Sequence, residues 1–148
     1  GKKTVGMHRY ASLRTMQKAI RRFLRESQIL KRRSTEDAYA VVANFWVAVK
    51  KVLESQWAQP RKFFLTKGIG VYSLMSIAGD IYKEAEVRNM GCDVEYLVGV
   101  ISDFASDIDW SSQGPLKGFG GAGGADQALD LLRQARTKKR FRVIANAK

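Results

Sequence analysis

The sequence predicts a mainly all-α protein, a compact bundle of about five helices with a glycine-rich loop before the last helix. Apolar residues recur at steps of three and four along several segments, which is the period of an amphipathic helix. Only two of the 148 residues are proline, and 45% are hydrophobic. That composition favours long helices around a buried core, and the length suits a single domain over 1–148.

The first helix is predicted over 10–30. Its apolar residues follow helical spacing and are Leu13, Met16, Ile20, Phe23 and Leu24. A second set with the same spacing is basic and lies on another face: Arg14, Lys18, Arg21 and Arg25. Four cations at that spacing repel each other in an isolated helix. We therefore expect them to meet an anionic partner, or acids elsewhere in the fold.

The second helix begins at Ser34 or Thr35, residue types that cap helices, and Glu36 and Asp37 suit its positive end. It must end before Pro60, because the residue before a proline disfavours helical geometry. Its wide apolar stripe, broadened by a tryptophan, predicts that this helix is central.

Three further helices complete the predicted bundle. The third is expected over 69–86, with Asn89-Met90-Gly91 ending it, and the fourth over 93–108. A loop over 111–124 precedes the last helix at 125–138. The remaining residues, 138–148, are basic and are expected to form a loosely held tail.

The charge is large, positive and unevenly distributed. The net charge is +12, with +10 over residues 1–33, −6 over 68–112 and +6 over 113–148. Such a balance favours a polyanionic partner, and we expect nucleic acid, with DNA first, bound through phosphate contacts. A basic but merely solvated surface is the alternative. The sequence also leaves self-association into a homo-oligomer open.

The candidate nucleic-acid-binding residues lie in the first helix, in the junction after it and near the C-terminus. They are Arg14, Lys18, Arg21, Arg25, Lys31, Arg32, Arg33, Lys138, Lys139 and Arg140. Phosphate contacts of this kind give affinity and salt dependence without reading sequence. No groove-reading motif is evident.

The glycine-rich stretch matches the spacing G-x-G-x-x-G at Gly118, Gly120 and Gly123. Backbone amides there could hold a phosphate, with Gly120, Gly121 and Gly123 as candidates. No strand precedes the stretch, and Asp126 in the following turn would repel a phosphate. A tight packing loop is the favoured interpretation, and no cofactor is predicted.

The sequence predicts no catalytic residue and no metal site. His8 is the only histidine and Cys92 the only cysteine, which argues against a zinc site and excludes an internal disulfide. Asp103 and Asp107 could share a magnesium ion, but a solvated acidic face is favoured. A lone cysteine and the lack of a long apolar run predict a cytoplasmic protein without a membrane span.

Several short segments resemble the C-terminal region of bacterial DGQHR-domain (DndB-like) proteins, which are linked to DNA phosphorothioate modification. The matching segments are 45–49, 57–60 and 64–71, followed by Trp110 and then 120–125. The resemblance implies a helical accessory domain in a DNA-modification or defence-related regulatory protein. The defining Asp-Gly-Gln-His-Arg motif is absent here. Because the chain begins Gly1-Lys2-Lys3, we expect a C-terminal fragment whose motif lies upstream.

Three functions therefore compete. The first is a nucleic-acid-binding accessory domain without enzymatic activity. The second is a protein-interaction or oligomerisation domain, in which the acidic middle of one chain meets the basic end of a neighbour. The third is a nucleotide-binding enzyme domain that uses the glycine-rich loop.

Overall fold

The computed structural model describes residues 13–111, 113–115 and 121–146, with the backbone alone at 121–123 and 139–146. A 3₁₀ turn at Ile29–Lys31 follows the first helix, and an isolated antiparallel bridge joins Phe63 to Ser111. No strand occurs in these ranges, so the all-α prediction is confirmed. The helices, in chain order, are α1 (Leu13–Ser27), α2 (Thr35–Val52), α3 (Glu54–Trp57), α4 (Gly68–Val87), α5 (Val94–Ala105) and α6 (Gly121–Asn146).

The central helix is α4, not α2 as the sequence predicted. Both α1 and α6 pack against α4, whereas α2 packs against α5. The outer face of α2 stays exposed at Tyr39 and Val47. Burial of α4 from several sides depends on small residues such as Ser73, Ser76 and Gly79, which let neighbouring helices approach closely. An apolar stripe does not reveal such positions, and that is why the prediction was wrong.

Helix α1 runs in the same direction as α4. Thr15 lies beside Gly68 near the start of both helices, and Ser27 lies beside Gly79 farther along. Phe23 of α1 is fully buried against the same part of α4. The C-terminal ends of α1 and α4 therefore lie at one end of the bundle.

The starts of α2 and α5 are both capped by a side chain, and the α2 cap at Ser34 was predicted from the sequence. The Ser34 hydroxyl accepts a hydrogen bond from the Asp37 N–H at 3.1 Å, and an Asp93 carboxylate oxygen accepts one from the Tyr96 N–H at 2.8 Å. Each bond satisfies an amide that has no partner within the helix. The capped helices α2 and α5 begin at the next residue in each case.

The end of α4 is also confirmed, and Asn89 is the residue responsible. Asn89 adopts a left-handed backbone with φ 55°, a conformation that asparagine tolerates better than most residues. The Met90 N–H then donates to the Ala85 carbonyl at 2.8 Å, and the Asn89 N–H donates to the Glu86 carbonyl at 3.1 Å. These two bonds form a Schellman cap.

The predicted end of the second helix is confirmed, whereas the predicted bounds of the last helix were wrong. The second helix was expected to end before Pro60, and it ends at Val52, because Leu53 departs from helical geometry at φ −114° and ψ 43° while burying its side chain. The last helix extends beyond the predicted 125–138 at both ends. Burial of Gly124 and Ala125 offsets the low helix propensity of the glycines at its start. Its lysine- and arginine-rich end favours continued helix.

Candidate nucleic-acid interface

The predicted basic residues of α1 form one continuous stripe on the side of the helix that faces away from the protein. Helical geometry places them about 180° from Ala19, Phe23 and Ser27, the buried residues of α1. The stripe extends about 16 Å along the helix axis, at 1.5 Å per residue. All its members are exposed, and we call this set the α1 stripe: Arg14, Lys18, Arg21 and Arg25.

The α1 stripe has no acidic counterpart in the part of the chain that the structure describes. None of its four side chains forms an ion pair or side-chain hydrogen bond with another described residue. The acids near α1 form ion pairs with Arg22 instead. The Arg22 guanidinium lies 3.2 Å from the Glu26 carboxylate and 2.7 Å from the Asp126 carboxylate of α6. Arg22 thus helps to hold α1 on α6 and leaves the stripe open to solvent.

The junction cations Arg32 and Arg33 differ from the stripe because both contact Glu86 of α4. Arg33 donates to a Glu86 carboxylate oxygen at 2.9 Å, whereas the Arg32 contact is longer, at 3.8 Å. The hydrogen bond from Arg33 lowers the pKa of Glu86. Lys31 is exposed and forms no ion pair with a described residue. Among the predicted junction residues, Arg33 therefore has a structural role.

Further acids of the negative central segment also form ion pairs inside the fold. Asp80 of α4 contacts Arg133 of α6 at 2.9 Å, and Glu84 contacts Arg136 at 2.6 Å. Because both sequence numbers rise together, α6 runs in the same direction as α4. The Arg136 guanidinium also lies 5.8 Å from the centre of the Phe104 ring. Asp80 and Glu84 are therefore paired with arginines of the same chain.

The remaining predicted cations lie on α6. Lys138 is exposed there, whereas the side chains of Lys139 and Arg140 lie outside the described residues. Lys138 lines a cavity together with residues 107–109, which follow α5. The described cations of the predicted set therefore lie in three places: the α1 stripe, the junction after α1, and Lys138 on α6.

The glycine-rich stretch is only partly described. Gly118 and Gly120 lie outside the described residues, while Gly121 and Gly123 belong to the first turn of α6. The predicted loop over 111–124 is therefore wrong at its end, since α6 already begins at Gly121.

The tryptophans pack into the protein body. Trp110 is 2% exposed, and its indole N–H donates to the Ala105 carbonyl at 3.1 Å. Trp46 and Trp57 are partly buried against the core, with ring centroids 6.1 Å apart. The aromatic residue of α1, Phe23, is fully buried, so the stripe offers cations without an exposed base-stacking platform.

The described residues give little support for a reactive thiol, a metal site or a membrane-spanning helix. Partial burial raises the pKa of the Cys92 thiol to about 11, which keeps the sulfur protonated at neutral pH. Within the described ranges, no three histidine, cysteine or acidic side chains come together as metal ligands, and no helix is long and apolar enough to cross a membrane. His8 lies outside those ranges.

Sequence reasoning missed two basic residues that the structure makes relevant. Arg22 could have been found from its spacing to Glu26, since residues four apart meet on one helix face. Lys83 of α4 lines a cavity together with Lys31 and Arg32. No local pattern connects residues so far apart in sequence.

Comparison with protein-family models, curated proteins and solved structures finds no match for this chain. The resemblance to DGQHR-domain proteins therefore remains a prediction from short motifs. The functional argument rests on the charges and contacts described above.

Proposed function

We propose that this chain is a nucleic-acid-binding helical domain that contacts phosphates through the α1 stripe, with duplex DNA as the expected ligand. The observation that supports this most is the stripe itself, four exposed cations with no acidic counterpart among the described residues. The α4 acids, in contrast, contact arginines of the same chain. Like charges on one helix face repel each other when no acid lies beside them, and a bound polyanion offsets that repulsion.

Recognition of this kind is expected to be independent of base sequence. Arginine and lysine contacts to phosphates position a protein on a duplex but carry no sequence information directly. The resemblance to DGQHR-domain proteins adds a context to the proposal, an accessory domain of a DNA-modification or defence-related regulatory protein in bacteria.

The test is a charge reversal at Arg14 and Arg21, followed by fluorescence anisotropy with labelled duplex DNA, single-stranded DNA and RNA. Two lost charged contacts at about 1.5 kcal/mol each predict roughly 100-fold weaker binding for Arg14→Glu/Arg21→Glu. The matched control is Lys50→Glu/Lys51→Glu, which changes the net charge equally at two exposed positions of α2.

Circular dichroism should show equal helicity in both double variants, because all four side chains are exposed. An equal loss of affinity in the control would mean that net charge alone drives binding. An unchanged affinity in the stripe variant would remove α1 from the interface. The affinities of the wild-type chain for duplex DNA, single-stranded DNA and RNA show which nucleic acid it prefers.

A protein-interaction domain is the second candidate, and one observation favours it. Tyr39 and Val47 on the outer face of α2 are 54% and 44% exposed. Exposed apolar side chains on one helix face can mark a contact with another protein. Sedimentation velocity at increasing protein concentration tests this alternative, because self-association would raise the sedimentation coefficient without nucleic acid.

A further inference from the structure

A cavity of about 530 Å³ lies at the end of the bundle where α1 and α4 terminate. Its walls come from the last turn of α1, the junction that follows it and the last turns of α4. The charged and amide side chains that line the cavity are Glu26, Gln28, Lys31, Arg32, Lys83 and Glu86.

The cations of this cavity come from two separate parts of the chain. Lys31 and Lys83 are exposed, and neither forms an ion pair with a described residue. Arg32 is 69% exposed and reaches Glu86 only at 3.8 Å, so most of its guanidinium donors stay available. Three cationic groups therefore face the same space without strong internal partners.

The two acids of the cavity are each engaged by an arginine. Glu26 contacts Arg22 at 3.2 Å, and Glu86 contacts Arg33 at 2.9 Å. These contacts offset the carboxylate charges that would otherwise repel an anion. Counted with Arg22, Arg33 and the Asp126 carboxylate that also contacts Arg22, the surroundings of the cavity carry a net charge of two positive.

The neighbouring helix ends are capped, which limits the repulsion that free terminal carbonyls would exert on an anion. The Gln28 N–H donates to the Leu24 carbonyl at 3.2 Å, and the Met90 N–H donates to the Ala85 carbonyl at 2.8 Å. Gln28 adopts a left-handed backbone with φ 53° to make its contact, and its exposed side-chain amide adds two donors.

We propose that this cavity binds a phosphate group through Lys31, Arg32 and Lys83. Its volume lies within the roughly 300–1,000 Å³ range of ligand sites, so a nucleoside attached to the phosphate also fits. The phosphate belongs either to a free nucleotide or to a nucleic acid. The site goes beyond the proposed function because it needs none of the α1 stripe.

The test uses the whole chain and the variant Lys31→Gln/Lys83→Gln, with Lys50→Gln/Lys51→Gln as a control of equal charge. Calorimetric titrations with inorganic phosphate and with adenosine diphosphate are run at constant ionic strength. We expect saturable binding in the wild type and the control, and at least tenfold weaker binding in the cavity variant. Anisotropy with duplex DNA forms a second arm.

The two arms separate the sources of the phosphate. If adenosine diphosphate binds at least tenfold more tightly than inorganic phosphate and DNA affinity is unchanged in the cavity variant, the ligand is a nucleotide. If DNA affinity falls only in the cavity variant and adenosine diphosphate competes with DNA, the ligand is a nucleic-acid phosphate.

The proposal is overturned if neither phosphate nor adenosine diphosphate binds saturably, or if the cavity and control variants lose affinity equally. Its outcome is independent of the proposed function, because Arg14→Glu/Arg21→Glu leaves the cavity intact. Phosphate binding without any DNA binding would contradict only the proposed function. DNA binding that needs the stripe, without phosphate binding in the cavity, would contradict only this inference.

Discussion

Two glycines of α4 are predicted to respond in opposite directions to the same substitution. A methyl group added at Gly70 would lie 2.0 Å from the Phe64 carbonyl oxygen and 2.8 Å from the Leu65 carbonyl oxygen. Both neighbours are backbone atoms, so the segment before α4 would have to move. At Gly79 the nearest atoms belong to Ser27 and Phe23, at the ordinary contact distances of 3.8 and 3.9 Å.

The expected magnitudes follow from these distances. Overpacking costs about 1–3 kcal/mol, so Gly70→Ala should lower the free energy of unfolding by that amount. The methyl group of Gly79→Ala would cause no clash. Because the substitution replaces a glycine inside a helix, it should raise the free energy of unfolding by about 1 kcal/mol. Gly99→Ala provides the reference for helix propensity alone, because nothing lies within 4 Å of the added methyl group.

Urea denaturation followed by circular dichroism measures all three variants, with an unchanged slope required for the comparison. Gly79→Ala and Gly99→Ala should agree closely. A destabilised Gly79→Ala protein with a stabilised Gly99→Ala protein would refute the spacing between α1 and α4. Since that packing positions the α1 stripe, the result also bears on the proposed interface.

Three further predictions concern helix caps, the thiol and pH. Ser34→Ala and Asp93→Ala should each lower the free energy of unfolding by about 1 kcal/mol, measured in urea, whereas little change would argue against the caps. At pH 8, Cys92 should react with iodoacetamide about 100-fold more slowly than in the urea-unfolded chain, because a pKa of about 11 leaves few thiolates compared with the ordinary 9.0. Arg33 lowers the pKa of Glu86, so the contribution of that carboxylate to stability is present above its ordinary 4.5 and is lost as pH falls through the lowered value. The melting temperature of Glu86→Gln should therefore vary less with pH below about 4.5 than that of the wild type, and equal pH dependence would contradict the contact.

The sequence predicted those parts of the fold that depend on local patterns. Helical spacing located α1 and α4, and cap chemistry placed Ser34 correctly. The left-handed position at Asn89 ended α4 where a turn was expected. Each of these signals lies within a few residues, where backbone geometry alone decides the outcome.

The features that the sequence missed depend on contacts between distant residues. The central position of α4 depends on its small residues, which let α1 and α6 approach closely. The spacing of apolar residues in the sequence does not reveal this close packing. The contact between Arg33 and Glu86 joins residues 53 positions apart, so the structural role of this predicted binding residue was invisible. The position of Lys83 in the cavity was also not predicted, because it depends on the packing of α4 beside the junction.

The salt dependence of duplex DNA binding tests the central claim most directly. If the four cations of the α1 stripe each contact one phosphate, the logarithm of the association constant should fall with the logarithm of salt concentration at a slope of about −3.6. Affinity should then drop about 150-fold between 50 and 200 mM salt. Anisotropy titrations of the wild-type chain at several salt concentrations give this slope. A slope near −3.6 is the predicted result, and the absence of binding at 50 mM salt would contradict a nucleic-acid interface on α1.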